Sequence, residues 1–112
     1  MHTLLIVDDE EIEREGMAQF IPWDTYGMKV AGTARNGAEG LEKIAKYKPD
    51  LAVVDIKMPV MNGIEMIRKA KEQYPDMTFV VLSGYGDYEF TSQAMELGVR
   101  HYILKPCDEG KM

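Results

Sequence analysis

Leu4-Leu5-Ile6-Val7-Asp8-Asp9-Glu10 sets a run of four apolar residues directly against three carboxylates. The form returns at Leu51-Ala52-Val53-Val54-Asp55, at Phe79-Val80-Val81-Leu82-Ser83 and, shorter, at Tyr102-Ile103-Leu104-Lys105. Short continuous apolar runs separated by helical patterns are the signature of parallel strands buried on both faces. The polar residues that end such strands share the carboxyl edge of the sheet, where open α/β folds bind their ligands. Asp8, Asp55, Ser83 and Lys105 are therefore expected to converge there.

The intervening segments carry helical signals. Glu10 to Phe20 reads as a helix with Ile12, Gly16 and Phe20 at one face, ended by Pro22. Met28 to Ala34 reads as a further strand, with Met28, Val30 and Gly32 alternating against Lys29, Ala31 and Thr33. Asn36 is placed to cap a helix that turns Ala38, Leu41 and Ile44 inward and stops at Pro49. Asn62 is placed likewise before Ile64, Ile67 and Ala70, in a helix that ends before Pro75. Asp87 caps a fourth helix with Phe90, Ala94 and Leu97 on one face and Gly98 as its left-handed terminator. The order is βαβαβαβαβ, and right-handed crossovers make it a doubly wound parallel sheet with helices on both faces. Trp23 is expected to pack the long first crossover.

Length and charge narrow the function. The 112 residues make one domain, 1–112, able to bury roughly two-thirds of the surface of the unfolded chain. A net charge of −6, with no basic cluster, argues against direct contact with nucleic acid. Cys107 is the only cysteine, so no internal disulfide forms, and a reducing cytoplasm is the expected setting. No apolar stretch approaches the ~20 residues of a membrane span. His2 and His101 have no histidine partner at metal-ligand spacing.

The chemistry rests on the strand ends. Asp8, Asp9 and Glu10 follow the first strand, and Asp55 joins them if strands one and three are neighbours. Carboxylates packed this closely repel one another, and Mg²⁺, which takes one or two carboxylates with waters and phosphate oxygens, relieves that repulsion. A carboxylate such as Asp55 attacks phosphorus to give an acyl phosphate when cations offset the repulsion between anions. Lys105 is placed to supply a cation, and Ser83 to hold a phosphoryl oxygen.

In this order and spacing, Leu4 to Glu10, Asp50 to Gly63, Val80 to Gly84 and Gly98 through Tyr102-Ile103-Leu104-Lys105-Pro106 resemble the receiver domain of two-component response regulators. The resemblance covers nearly the whole chain. It implies a flavodoxin-like receiver fold, a five-stranded parallel sheet of order 2-1-3-4-5. It implies that Asp55 accepts a phosphoryl group from the phosphohistidine of a sensor histidine kinase. Asp8, Asp9, Asp55 and the backbone carbonyl of Lys57 would arrange Mg²⁺, and Lys105 would contact the phosphate. Ser83 would shift toward it, Tyr102 would rotate inward as the readout, and Lys105-Pro106 would be a cis peptide. Such a domain is a switch with self-catalysed phosphotransfer and autodephosphorylation, not a metabolic enzyme, and a homodimer is expected on activation.

Glu13-Arg14-Glu15-Gly16-Met17, Ile21-Pro22-Trp23, Gly27-Met28 and Ala34-Arg35-Asn36-Gly37 further resemble the receivers that commonly precede an AraC-type helix-turn-helix domain. That likeness implies transcriptional control through DNA contacts made by a separate output domain. The chain ends at Asp108-Glu109-Gly110-Lys111-Met112, where the receiver family begins a fifth helix, so that helix is expected to be truncated. Two other readings use the same residues. An aspartyl-phosphate phosphatase of the haloacid-dehalogenase type would carry a second Asp two residues past the nucleophile, where Lys57 stands. A phosphate-independent interaction module on the same fold would have lost residues that are all in place here.

Overall fold

A computed structural model describes residues 2–55, 63–83, 92, 93, 95–99 and 101–104, with Ser83 and residues 101–104 entering through their backbone alone. The elements run β1 (His2–Val7), α1 (Glu11–Phe20), a 3-10 helix (Trp23–Tyr26), β2 (Met28–Ala34), α2 (Gly37–Tyr47), β3 (Leu51–Asp55), α3 (Gly63–Gln73), β4 (Thr78–Ser83) and β5 (His101–Leu104). The strands form one parallel sheet in the order β2-β1-β3-β4-β5. Asn62, Asp87, Phe90, Ala94 and the segment 105–112, where a truncated fifth helix was expected, lie outside the described residues.

Alternation along each strand divides the core between the two faces of the sheet. Leu5, Val7, Ala52, Val54 and Val81 meet Ile44 of α2 and Ile64, Met66, Ile67 and Ala70 of α3. Leu4, Ile6, Val53 and Leu82 meet Met17 of α1 with Ile21 and Trp23. Burying each large side chain of this kind contributes about 1.5–3 kcal/mol, so hydrophobic burial dominates the folding energy. Trp23 does pack the first crossover, and its indole N–H donates to the carbonyl of Met17 at 2.8 Å.

Two sequence expectations are corrected. Ile12 and Phe20 are 91% and 82% exposed, and α1 seats itself through Met17 instead. The register between β1 and β2 shifts between Leu4, opposite Val30, and Leu5, opposite Gly32. This bulge skips Ala31 and reverses the faces beyond it. Met28 and Val30 pack on the α1 side, whereas Gly32 approaches Leu5 and Ala34 joins the opposite core.

Asn36 accepts from the Glu39 N–H at 2.8 Å and caps α2 as expected. The buried residues of that helix are Gly37, Gly40 and Ile44, a face turned slightly from the expected one. A Cβ on Gly40 would lie 2.9 Å from Met66 Sδ and 3.3 Å from Val7 Cγ2, so glycine is what lets α2 approach α3 and the sheet. Pro49 is preceded by Lys48 in the left-handed region at φ 47°, whose N–H bonds to the Ile44 carbonyl and closes the helix. The helical turn before β5 ends at Gly98, φ 90°, which is where the sequence placed its terminator.

At the amino edge Asp50 ties three strands. Its N–H bonds to the Thr3 carbonyl at 3.0 Å, its carbonyl accepts from Thr78, and its carboxylate accepts from the Thr3 N–H at 2.8 Å. The Thr3 N–H is the main cause that holds the Asp50 carboxyl below its ordinary value of 3.8; desolvation opposes it, and the nearby His2 lowers the value further. A carboxyl whose value is depressed on folding stabilises the fold above the unfolded value and loses that contribution as pH falls through the folded one. Thermal midpoints of the wild type and Asp50→Asn, compared from about pH 5 down to about pH 2, are expected to fall more steeply for the wild type below pH 3.8. The asparagine oxygen still accepts from Thr3 but does not titrate. Parallel curves would show that this bond does not contribute to acid sensitivity.

Candidate functional site

The sheet registers assemble the carboxyl edge. Val7 of β1 pairs with Val54 of β3, so Asp8 and Asp55 are the next residues on neighbouring strands. Asp55 pairs with Leu82, and Ser83 pairs with Leu104. The backbones of Asp8, Asp55 and Ser83 thus reach one edge, as the strand endings predicted. The side chains of Ser83 and Tyr102, and the whole of Lys57, Lys105 and Pro106, lie outside the described residues.

One carboxylate oxygen from each of Asp8, Asp9 and Asp55 lies within 4.8 Å of the others. Asp8 is fully buried and Asp55 is 2% exposed, while Asp9 stands open to solvent. Two buried carboxyl groups are thereby held beside a third, and groups of this kind repel one another when ionised together. Glu10 does not add its carboxylate to this group. It instead donates its backbone N–H to Asp8 Oδ1 at 2.9 Å.

Strand-end reasoning does not find Arg14, which lies within α1. Its side chain is only 14% exposed, and Nη1 donates to the Asp8 carbonyl at 3.0 Å. Its Nε lies 3.8 Å from Glu15 Oε1. The one signal for it was the Glu13-Arg14-Glu15-Gly16-Met17 motif, which carried no spatial information.

A doubly wound parallel sheet with buried aspartates at its carboxyl edge defines a class, and comparison fixes the family. Residues 4–112 match the family model for the response regulator receiver domain, and the chain belongs to that family as the receiver domain of a two-component response regulator. It is 45% identical over 109 residues to the uncharacterized transcriptional regulatory protein YesN of Bacillus subtilis, an alignment covering 97% of this chain and 30% of that one. It is 36% identical to the transcriptional regulatory protein HptR of Staphylococcus aureus over 112 residues, all of this chain and 44% of the relative. The chain therefore spans less than half the length of these curated relatives. Among solved structures, the REC domain of AraT, a response regulator from Geobacillus stearothermophilus, superposes with a TM-score of 0.91 at 36% identity, covering 97% of this chain and 84% of that one. Among the described residues, no helix is long and apolar enough to cross a membrane.

The crowding of carboxylates has a direct consequence for stability. In EDTA, Asp55→Asn removes one charge with little change in shape, and its thermal midpoint is expected to rise by several degrees. A relief of one pKa unit of repulsion corresponds to about 1.4 kcal/mol. Differential scanning calorimetry of both proteins checks this, and a variant no more stable than the wild type would mean that the aspartates do not repel appreciably.

Proposed function

We propose that this domain is a phosphorylation switch in which Asp55 accepts a phosphoryl group from the phosphohistidine of a sensor histidine kinase. The observation that carries the reading is Asp55, buried at the end of β3 with oxygens of Asp8 and Asp9 within 4.8 Å. An Asp55 carboxylate oxygen forms a bond to phosphorus as the P–N bond to the kinase imidazole breaks, and the imidazole leaves with that electron pair. The product is an acyl phosphate. Hydrolysis of this bond by water resets the switch, so the domain catalyses its own charging and discharging without processing a metabolite.

Three carboxylates gathered from two strand ends, one of them open to solvent, are the oxygen donors that a hard divalent cation takes. Asp8, Asp9 and Asp55, with the backbone carbonyl of Lys57, would hold Mg²⁺, which when bound supplies positive charge to offset the anionic phosphoryl group. Lys105 would supply a second cation, as the resemblance to receiver domains implies. Ser83 donates to a phosphoryl oxygen, and its movement frees the space into which Tyr102 turns. The altered face then favours a homodimer. The relatives' names and greater lengths support a cytoplasmic regulator in which an output domain outside residues 1–112 contacts DNA.

Acetyl phosphate with MgCl₂ is expected to add the mass of one phosphoryl group to the wild type, and EDTA is expected to prevent it. Asp55→Asn is expected to gain none while keeping the circular dichroism of the folded domain. Undiminished labelling of that variant would overturn the assignment. Ser83→Ala is expected to accept the phosphoryl group but to show a smaller change in the amide NMR shifts of β4 and β5. A full-sized change would separate Ser83 from the readout.

A further inference from the structure

The Glu13-to-Met17 motif contributes nothing to the strand-end chemistry, yet one of its residues reaches the acidic edge. Arg14 occupies the first turn of α1, where its own N–H bonds to the Glu10 carbonyl at 2.8 Å. Its guanidinium folds back to the Asp8 carbonyl at 3.0 Å. Asp8 in turn accepts the Glu10 N–H on Oδ1 at 2.9 Å and donates its own N–H to the Ala34 carbonyl at 3.0 Å. The backbone of Asp8 is therefore tied at both its N–H and its carbonyl, and its carboxylate is tied through Oδ1. Ala34 supplies a tie from β2, and Arg14 supplies the side-chain tie from α1.

We infer that Arg14 is a positioning residue for the acidic site, fixing the Asp8 backbone so that the Asp8 carboxylate is presented toward Asp9 and Asp55. This rests on the reading that the three aspartates hold Mg²⁺. The charge of Arg14 and its geometry act in opposite directions, which makes the inference testable. A guanidinium beside a cation site repels the incoming metal, so its charge alone weakens binding, and removing that charge alone tightens binding. A group that orients a metal ligand acts the other way, and its loss typically weakens metal affinity by about tenfold or more. The burial of the Arg14 side chain and its bond to a backbone carbonyl, which holds geometry without neutralising a carboxylate, favour the positioning effect.

The test is calorimetric titration of the 112-residue chain with MgCl₂. Arg14→Met preserves the length and apolar character of the stem, and it is expected to raise the Mg²⁺ Kd about tenfold. Arg14→Lys keeps one charged donor and is expected to fall between wild type and Arg14→Met. Thermal melts in EDTA accompany each titration. A lowered midpoint for Arg14→Met with an unchanged or tighter Kd would make Arg14 a structural residue only and overturn the inference. A folded Arg14→Lys that binds Mg²⁺ no better than Arg14→Met would overturn it as well. A wild type that gives no Mg²⁺ heat would remove the metal reading of the aspartates, and this inference with it. A wild type that binds beside an equally competent Arg14→Met would leave that reading intact and remove only the role of Arg14.

Discussion

The parallel pairing of β1 with β3, with Val7 opposite Val54, is the constraint on which the rest depends. Both strands are buried on both faces, and a slip of one residue would exchange every side chain between the two cores. Leu4, Ile6 and Val53 point to the α1 side, while Leu5, Val7, Ala52 and Val54 point to the side of α2 and α3. Asp55 continues the alternation of Val53, and Asp8 lies two residues past Ile6. Both carboxylates therefore belong to the half of the edge where α1 begins. The apolar register that builds the core is the same register that brings the acids together, so neither is adjustable without the other.

Among the described residues, the strands behind the aspartates supply the apolar burial that holds the cluster in place. Leu4, Leu5, Ile6, Val7, Val53 and Val54 are all fully buried directly behind the aspartates. At about 1.5–3 kcal/mol for each large apolar side chain, these residues contribute the dominant stabilisation at this edge. The acids are thus held together by the strands and not by attraction among themselves. A fixed cluster of this kind has little freedom to spread apart, and its charge is most readily relieved by a cation or by neutralising one member.

Much of the architecture was legible because continuous apolar runs have few alternatives. Every strand appeared where such a run or alternation stood, extended at the amino end by His2 and Thr3 in β1, by Thr78 in β4 and by His101 in β5. Asn36 and Gly98 announced their helix ends through chemistry that acts locally. The errors arose where tertiary geometry decides. Residue spacing gives the stripe Ile12, Gly16 and Phe20 as good a claim to the core as Met17, and only the docking of α1 selects between them. A bulge leaves no mark in a sequence as short as Val30-Ala31-Gly32, so the reversal of faces in β2 was invisible. At the site, Asp8, Asp9 and Asp55 were legible from strand endings alone. Arg14 was not, because its bond to Asp8 depends on a chain reversal between β1 and α1 that no periodicity encodes.

The manner in which α1 is attached explains why such a bond matters. Helices α2 and α3 present Ile44, Ile64, Met66, Ile67 and Ala70 to the sheet and to one another. Within α1 only Met17 is buried, and Ile12 and Phe20 face solvent. Apolar packing therefore fixes the position of α1 less firmly than that of its counterparts. Polar ties stand at both ends: Arg14 reaches Asp8 near the amino end, and Trp23, which lies past the carboxyl end, donates its indole N–H to the Met17 carbonyl in the last turn. A hydrogen bond of this sort contributes only about 0.5–1.5 kcal/mol to stability, small beside the apolar core. Its directional requirement is what gives it leverage, because the bond survives only when α1 and the Asp8 loop keep their spacing. The placement of the acidic edge relative to α1 is thus decided by a few oriented polar contacts, while the existence of the edge is decided by the core.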